Sequence, residues 1–304
     1  MNFMKLIKPK KLKKGDTIGF LSVSGQIKDI AELEFSKQYL ENLGYKVKVS
    51  STSYTNDRYF CANAEERAKV LNDFFADDEI KAIICTRGGY GAIKILDKID
   101  YELIKNNPKI FMGYSDISAI LWNLYQKSNL LTFHGAHAIS TFQQNNITQQ
   151  SFWGIIENKS KYISATSKKT FQNGIAKGAF IGGNLCTITS LCGTDFIPKE
   201  DFIFFLEDIN EPVYKIDRMF TQLINTKDFS ARLKGIALGK FSGVDNDEYF
   251  DAFWQEIANK LNIPVCGNFE ISHETEHLVT PYGLQVELNA GNCEIKFLEN
   301  YFED

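Results

Sequence analysis

The chain has 304 residues, 44% of them hydrophobic and 24% charged, which excludes a disordered or fibrous protein and leaves room for two domains with separate cores. Lys and Arg number 34 and Asp and Glu 38, for a net charge of -4. That mild acidity argues against a general nucleic-acid binder, which needs many cations to displace counterions. The six cysteines, Cys61, Cys85, Cys186, Cys192, Cys266 and Cys293, are scattered and form no C-x-x-C pair. Most have apolar or glycine-rich neighbours, so they read as reduced, buried thiols and not as a disulfide framework.

The N-terminus is basic, with Lys5, Lys8, Lys10, Lys11, Lys13 and Lys14. The apolar run that follows, 17–23, is short, is bounded by Gly15-Asp16 and Ser24-Gly25, and leads to no A-x-A cleavage site. It reads as a strand and not as a signal peptide, and no stretch is long enough to span a bilayer. The expected compartment is the cytoplasm, with no membrane partner.

Strands and helices alternate through the first half. A helix over 30–43 places Ile30, Leu33, Leu40 and Leu43 on one face and stops at Gly44. A strand over 45–49 follows. Asn63 with Glu66 three residues on marks the start of a second helix, whose inner face is Ala64, Ala68, Leu71, Phe74 and Phe75. Strands over 80–85 and 110–112 and a helix over 116–127 continue the pattern. This spacing predicts a parallel, Rossmann- or flavodoxin-like sheet covered by helices.

Residues 141–174 turn polar, with one short helix expected near Trp153. Beyond them, strands over 202–206 and 236–238, helices over 216–224 and 252–261, and a closing hairpin over 284–298 predict a smaller α/β domain with mixed or antiparallel strands. The expected division is an N-terminal α/β domain over 1–150, a connector over 151–178 and a C-terminal domain over 179–304.

Five constellations could carry chemistry. Gly113-Tyr114-Ser115-Asp116-Ile117 follows an apolar strand and opens a helix. A serine on such a turn presents its hydroxyl beside free helical N–H groups, which suits a nucleophile with an oxyanion site. It equally suits a helix N-cap. Thr86-Arg87-Gly88-Gly89-Tyr90-Gly91 follows another strand, and its glycines let backbone N–H groups approach an anion or simply make a tight turn. It lacks the G-x-G-x-x-G spacing and a Walker lysine.

His273-Glu274-Thr275-Glu276-His277 is a literal H-E-x-x-H, the zinc-peptidase spacing. Its apolar neighbours Phe269, Ile271, Leu278 and Val279 show no helical period, so a metal site is not expected there. Glu207 and Asp208 end an apolar strand, a common place for function in α/β sheets. His134 and His137 form an H-x-x-H pair with no evident carboxylate partner and read as a strand-end loop. In chain order the set runs serine, acid, histidine, as in α/β-hydrolases. A serine needs a base at neutral pH, and the base needs an acceptor to fix its tautomer.

At these residues the chain resembles the LD-carboxypeptidases of peptidase family S66, which include muramoyltetrapeptide carboxypeptidases and microcin C7 self-immunity proteins. The resemblance spans nearly the whole chain. It is carried by Lys14-Gly15-Asp16-Thr17-Ile18-Gly19, Glu66-Arg67, Arg87-Gly88-Gly89-Tyr90-Gly91-Ala92, the Ser115 turn, Thr132-Phe133-His134-Gly135, Gly182-Gly183-Asn184-Leu185, Glu207-Asp208, Ile216-Asp217-Arg218, Gly235-Ile236-Ala237-Leu238-Gly239 and the His273 segment with Pro281-Tyr282-Gly283.

The resemblance implies a Ser115–Glu207–His273 triad, in a cleft between the two domains. It implies an oxyanion hole from the backbone of the Gly88-Gly89 loop, chiefly Gly89, and of Asp116. It also implies release of D-Ala from a murein tetrapeptide, no metal or other cofactor, and a homodimer. Where the family has glycine before the histidine, this chain has Ser272, and His277 is the competing base. An immunity-type hydrolase of a peptidyl-nucleotide is the alternative activity, with Trp153 as its candidate base platform. A nucleotide-binding module using 87–91 is a further alternative.

Overall fold

The computed structural model describes residues 5–143 and 146–303, and these divide into two compact units. Among the described residues, one unit holds 5–143, 146–159, 279–281 and 301–303. Its sheet contains β1 (Thr17–Leu21), β2 (Lys46–Val49), β3 (Ile80–Cys85), β4 (Ile110–Gly113) and β5 (Thr132–His134) in the order β5-β4-β3-β1-β2, all parallel, with the strand Thr280–Tyr282 beside β5. That is the flavodoxin-like order, with its topological switch between β1 and β3. β1, β3 and β4 are buried almost throughout, which is why they read as near-continuous apolar runs without alternation.

The first helix, Ile30–Asn42, starts where the Asp29 carboxylate accepts the Ala31 N–H, and it ends at Gly44, whose φ of 90° is open to glycine. Its buried face is Leu33, Ser36 and Leu40. Ile30 and Leu43 were expected on that face and are instead exposed, at the first residue and the C-cap of the helix. The second helix, Ala64–Ala76, is capped by Asn63, whose side chain accepts the Glu66 N–H. It buries Arg67 along with the expected Ala68, Leu71, Phe74 and Phe75. The Arg67 guanidinium is satisfied by three peptide carbonyls, those of Ala62, Val23 and Gly91.

The expected helix over 116–127 is a short 3-10 turn (Ser115–Ile117), an α-helix (Ser118–Asn123) and a π-turn (Leu124–Ser128) in succession. Every residue of Ser118–Asn123 is buried, Trp122 among them.

The other unit holds residues 160–278 and 282–300. Its strands are β6 (Tyr162–Ser164), β7 (Lys169–Gln172), β8 (Ile175–Asn184), β9 (Phe202–Ile209), β10 (Leu233–Ser242), β11 (Val265–Gly267) and, after Thr280–Tyr282 as β12, β13 (Gln285–Asn289) and β14 (Glu294–Phe297). The sheet order is β6-β14-β13-β8-β9-β10-β11-β7. β8, β9, β10 and β11 are parallel, and the outer strands are antiparallel to their neighbours, so the sheet is mixed as expected. β13 and β14 are the anticipated closing hairpin. The helices Val213–Asn225 and Asp247–Leu261 meet through Phe220 and Trp254, ring centroids 4.9 Å apart.

Four of the six free cysteines are buried, while Cys186 is exposed and Cys192 half-buried, so the reading of the thiols as filling holds for Cys61, Cys85, Cys266 and Cys293. Among the described residues no helix is long and apolar enough to cross a membrane.

Candidate active site

The serine centre forms at the carboxyl ends of β1, β3 and β4, beside the topological switch. Ser115 directly follows the extended Tyr114 and has a φ of 63°. A residue with a β-carbon in this left-handed region costs about 1–3 kcal/mol and persists only where its surroundings hold it. Ser115 is the first residue inside its 3-10 turn, whose N-cap position is Tyr114, and the helix that follows has Ile117 at its N-cap, so the helix-cap role does not account for this serine. The side chain is only partly buried.

The glycine loop packs directly on it. A β-carbon at Gly88 would stand 2.7 Å from Ser115 Cβ, 2.9 Å from Ser115 Oγ and 3.4 Å from the Asp116 nitrogen. Gly88 O accepts the Gly25 N–H at 3.1 Å, which ties this loop to the end of β1. Gly89 has a φ of 123° and lies against the Gly25 backbone, so only glycine fits. The Gly89 N–H makes no hydrogen bond among the described residues.

Asp116 carries the far side of the turn. Its carboxylate, 6% exposed, accepts the Ser24 hydroxyl at 2.5 Å and the Ala92 N–H at 2.7 Å. Burial raises its pKa, and those two hydrogen bonds, a third from the Gly91 N–H and the charge of Arg67 pull the other way. On the near side the Tyr114 N–H donates to His137 Nε2 at 3.2 Å. Ser24 and His137 were not singled out for this role from sequence. A serine just past β1 was the available signal for the first, and the H-x-x-H pair for the second.

In the other unit, Glu207 lies near the carboxyl end of β9, in register with Asn184 of β8, and is wholly buried. Its Oε2 is 2.5 Å from His273 Nδ1. The neutral imidazole therefore carries its Nδ1 proton toward the carboxylate, which leaves Nε2 as the basic nitrogen. Burial opposes the imidazolium, but the Glu207 hydrogen bond and the charges of Glu207 and Asp208 outweigh it, so His273 is raised above the ordinary histidine pKa. Asp208 points its oxygens elsewhere, accepting from Asn184 Nδ2, Cys186 N and Ile209 N. Burial and the neighbouring Glu207 push it up to about 6.

The His273 segment is not helical. Residues 272–276 form a run of bends, so the helical face that a zinc peptidase builds from H-E-x-x-H does not exist here. Glu274 pairs with Lys240 at 2.7 Å, and His277 is buried with Nδ1 donating to Glu274 O at 3.2 Å. No cluster of three or more His, Cys, Asp or Glu suited to a metal ion is found among the described residues. Ser272 does not have a positive φ, so serine suits this backbone without strain. Its hydroxyl accepts the Glu274 N–H at 3.1 Å and helps shape the loop after β11.

The structure thus groups Ser115, Gly88, Gly89 and Asp116 in one constellation and Glu207 with His273 in another, each on its own unit.

Comparison with known proteins agrees with the fold. The LD-carboxypeptidase N-terminal domain matches residues 18–135 and the LD-carboxypeptidase C-terminal domain matches residues 177–288. A Bacillus subtilis protein named "Probable murein peptide carboxypeptidase" is 37% identical over 295 residues, covering 93% of this chain and 92% of that protein. The solved structure of the microcin C7 self-immunity protein MccF superposes with a TM-score of 0.87 at 26% identity, covering 98% of this chain and all of that one. A muramoyltetrapeptide carboxypeptidase from Oxalobacter formigenes superposes with a TM-score of 0.79 at 26% identity, over 92% of this chain and 97% of that one.

Fold and relatives define a hydrolase of the carboxypeptidase class. The chain belongs to the LD-carboxypeptidase family, peptidase family S66.

Proposed function

We propose that the protein is a serine-type LD-carboxypeptidase that releases the C-terminal D-Ala of a murein tetrapeptide, free or linked to muramic acid. The observation that carries the reading is Ser115, held at φ 63° on a strand-to-helix turn with Gly88 packed against its hydroxyl. His273 Nε2 takes the Ser115 proton as Oγ attacks the carbonyl of the penultimate residue. The Gly89 and Asp116 N–H groups stabilise the tetrahedral oxyanion, and each such donor contributes about 3–4 kcal/mol in comparable sites. His273 then protonates the departing D-Ala amine, and water hydrolyses the acyl-enzyme. Glu207 fixes the imidazole tautomer and stabilises its charged form. In this reading the enzyme acts in the cytoplasm, as part of peptidoglycan recycling, and works as a homodimer.

Peptidyl-nucleotide hydrolysis is the second reading, because solved structures of MccF include a complex with glutamyl sulfamoyl guanosine. Trp153 favours the murein substrate. It donates its indole N–H to the Tyr39 hydroxyl at 3.2 Å and stacks on Tyr45 with centroids 5.9 Å apart, so it is already used in packing.

The test is D-Ala release from murein tetrapeptide followed by mass spectrometry, beside a peptidyl sulfamoyl nucleotide, each with and without a chelator. Chelator-resistant D-Ala release that is lost in Ser115→Ala supports the proposal. Full activity of Ser115→Ala, or loss on chelation, contradicts it.

A further inference from the structure

We propose that His137 is a positioning residue for the serine centre, a role that rests on Ser115 being the nucleophile. A non-glycine residue at φ 63° relaxes unless the residues on both sides of it are held. Downstream, the Asp116 carboxylate is clamped by the Ser24 hydroxyl and the Ala92 N–H. Upstream, the Tyr114 N–H is held by the imidazole of His137 at 3.2 Å.

His137 is built for this task. It is 4% exposed, and its ring stacks on Tyr114 with centroids 4.0 Å apart and planes 22° from parallel. Its own backbone is fixed, since His137 N donates to Thr141 Oγ1 at 3.1 Å and the His137 carbonyl accepts the N–H groups of Ser140 and Thr141. The loop that carries it is tied to both neighbouring strand ends, with Gly135 N donating to Gly113 O and Ile139 N to Thr86 O, each at 3.2 Å. The imidazole is therefore anchored to the same strand ends that carry Ser115 and the glycine loop. Accepting from Tyr114 requires the lone pair on Nε2 and places the ring proton on Nδ1.

Two variants separate the acceptor from the ring. His137→Phe keeps an aromatic face on Tyr114 and removes the acceptor. His137→Gln removes the ring and supplies a carbonyl oxygen at about the depth of Nε2. The readouts are kcat and KM for D-Ala release and the rate at which a fluorophosphonate probe labels Ser115.

His137→Phe is expected to lose about tenfold to a hundredfold in kcat with little change in KM, and to slow labelling in parallel. His137→Gln is expected to recover most of both rates. A fully active His137→Phe, or a His137→Gln as slow as His137→Phe, overturns the positioning role. Failure of the wild-type protein to be labelled at Ser115 overturns the nucleophile itself, an outcome separate from either variant result.

Discussion

Gly88→Ala tests the serine centre by steric means alone. The backbone at Gly88 lies outside the left-handed region, so alanine carries no conformational penalty there. The added methyl would sit 2.7 Å from Ser115 Cβ and 2.9 Å from Oγ, where ordinary contact is 3.4–4 Å. The Cβ that it meets is fixed to the backbone, so no side-chain rotation relieves the overlap. The serine turn must shift by roughly 1 Å, and a displacement of that size costs about a hundredfold in rate.

The assay is kcat/KM for D-Ala release, with thermal unfolding as the control for folding. The expected result is a drop of about a hundredfold in a protein that remains folded, carried mainly by kcat. A folded Gly88→Ala enzyme with wild-type kcat/KM would refute the placement of catalysis at Ser115.

Three further perturbations follow from the same geometry. In Glu207→Gln, burial still disfavours the His273 imidazolium while the partners that raise its pKa are weakened. The acid limb of kcat/KM should then move from above the ordinary histidine value to lower pH, with kcat down at least about a hundredfold; an unmoved limb counts against the pairing. Burial pushes His277 down to about 4, so the folded state resists protonation there and stability is lost as pH falls from about 6.5 toward 4, by about 3 kcal/mol in full. Urea unfolding of His277→Gln should show that much less acid sensitivity than wild type, and an identical pH dependence would remove His277 as the cause. Asp116→Ala leaves the buried Ser24 hydroxyl and Ala92 N–H without their acceptor and should destabilise the unit by about 1–3 kcal/mol in the same assay. A smaller loss would mean that those groups find other partners.

The parallel core was legible because β1, β3 and β4 are buried on both faces, which writes each as an unbroken apolar run. The helix start at Asn63 was legible for a local reason, since a short polar side chain beside an N–H needs no tertiary context. β6 and β7 were not visible, because Tyr162–Ser164 and Lys169–Gln172 are short outer strands with mostly half-exposed or exposed side chains, and pairing with β14 and β11 defines them. The burial of Arg67 was not legible, because the carbonyls that accept from its guanidinium come from three separate segments.

The candidate site was legible in part. Strand-to-turn position pointed to Ser115, but its φ of 63° and the contact with Gly88 are properties of the folded turn. Glu207 and His273 are 66 residues apart, and no spacing rule connects them; the family resemblance named the pair, and β9 with the loop after β11 brings them to 2.5 Å. The literal H-E-x-x-H misleads because spacing implies a shared face only on a helix, and residues 272–276 are bends. His137 escaped because an H-x-x-H pair suggests metal, whereas this imidazole accepts a backbone N–H.

The most direct measurement is to trap the acyl-enzyme. The protein is mixed with murein tetrapeptide, quenched in acid within a turnover and mapped by peptide mass spectrometry. The account predicts a tripeptidyl ester on Ser115, absent in Ser115→Ala and formed far more slowly in His273→Ala. An acyl group on another residue, or D-Ala release by Ser115→Ala at the wild-type rate, would contradict it.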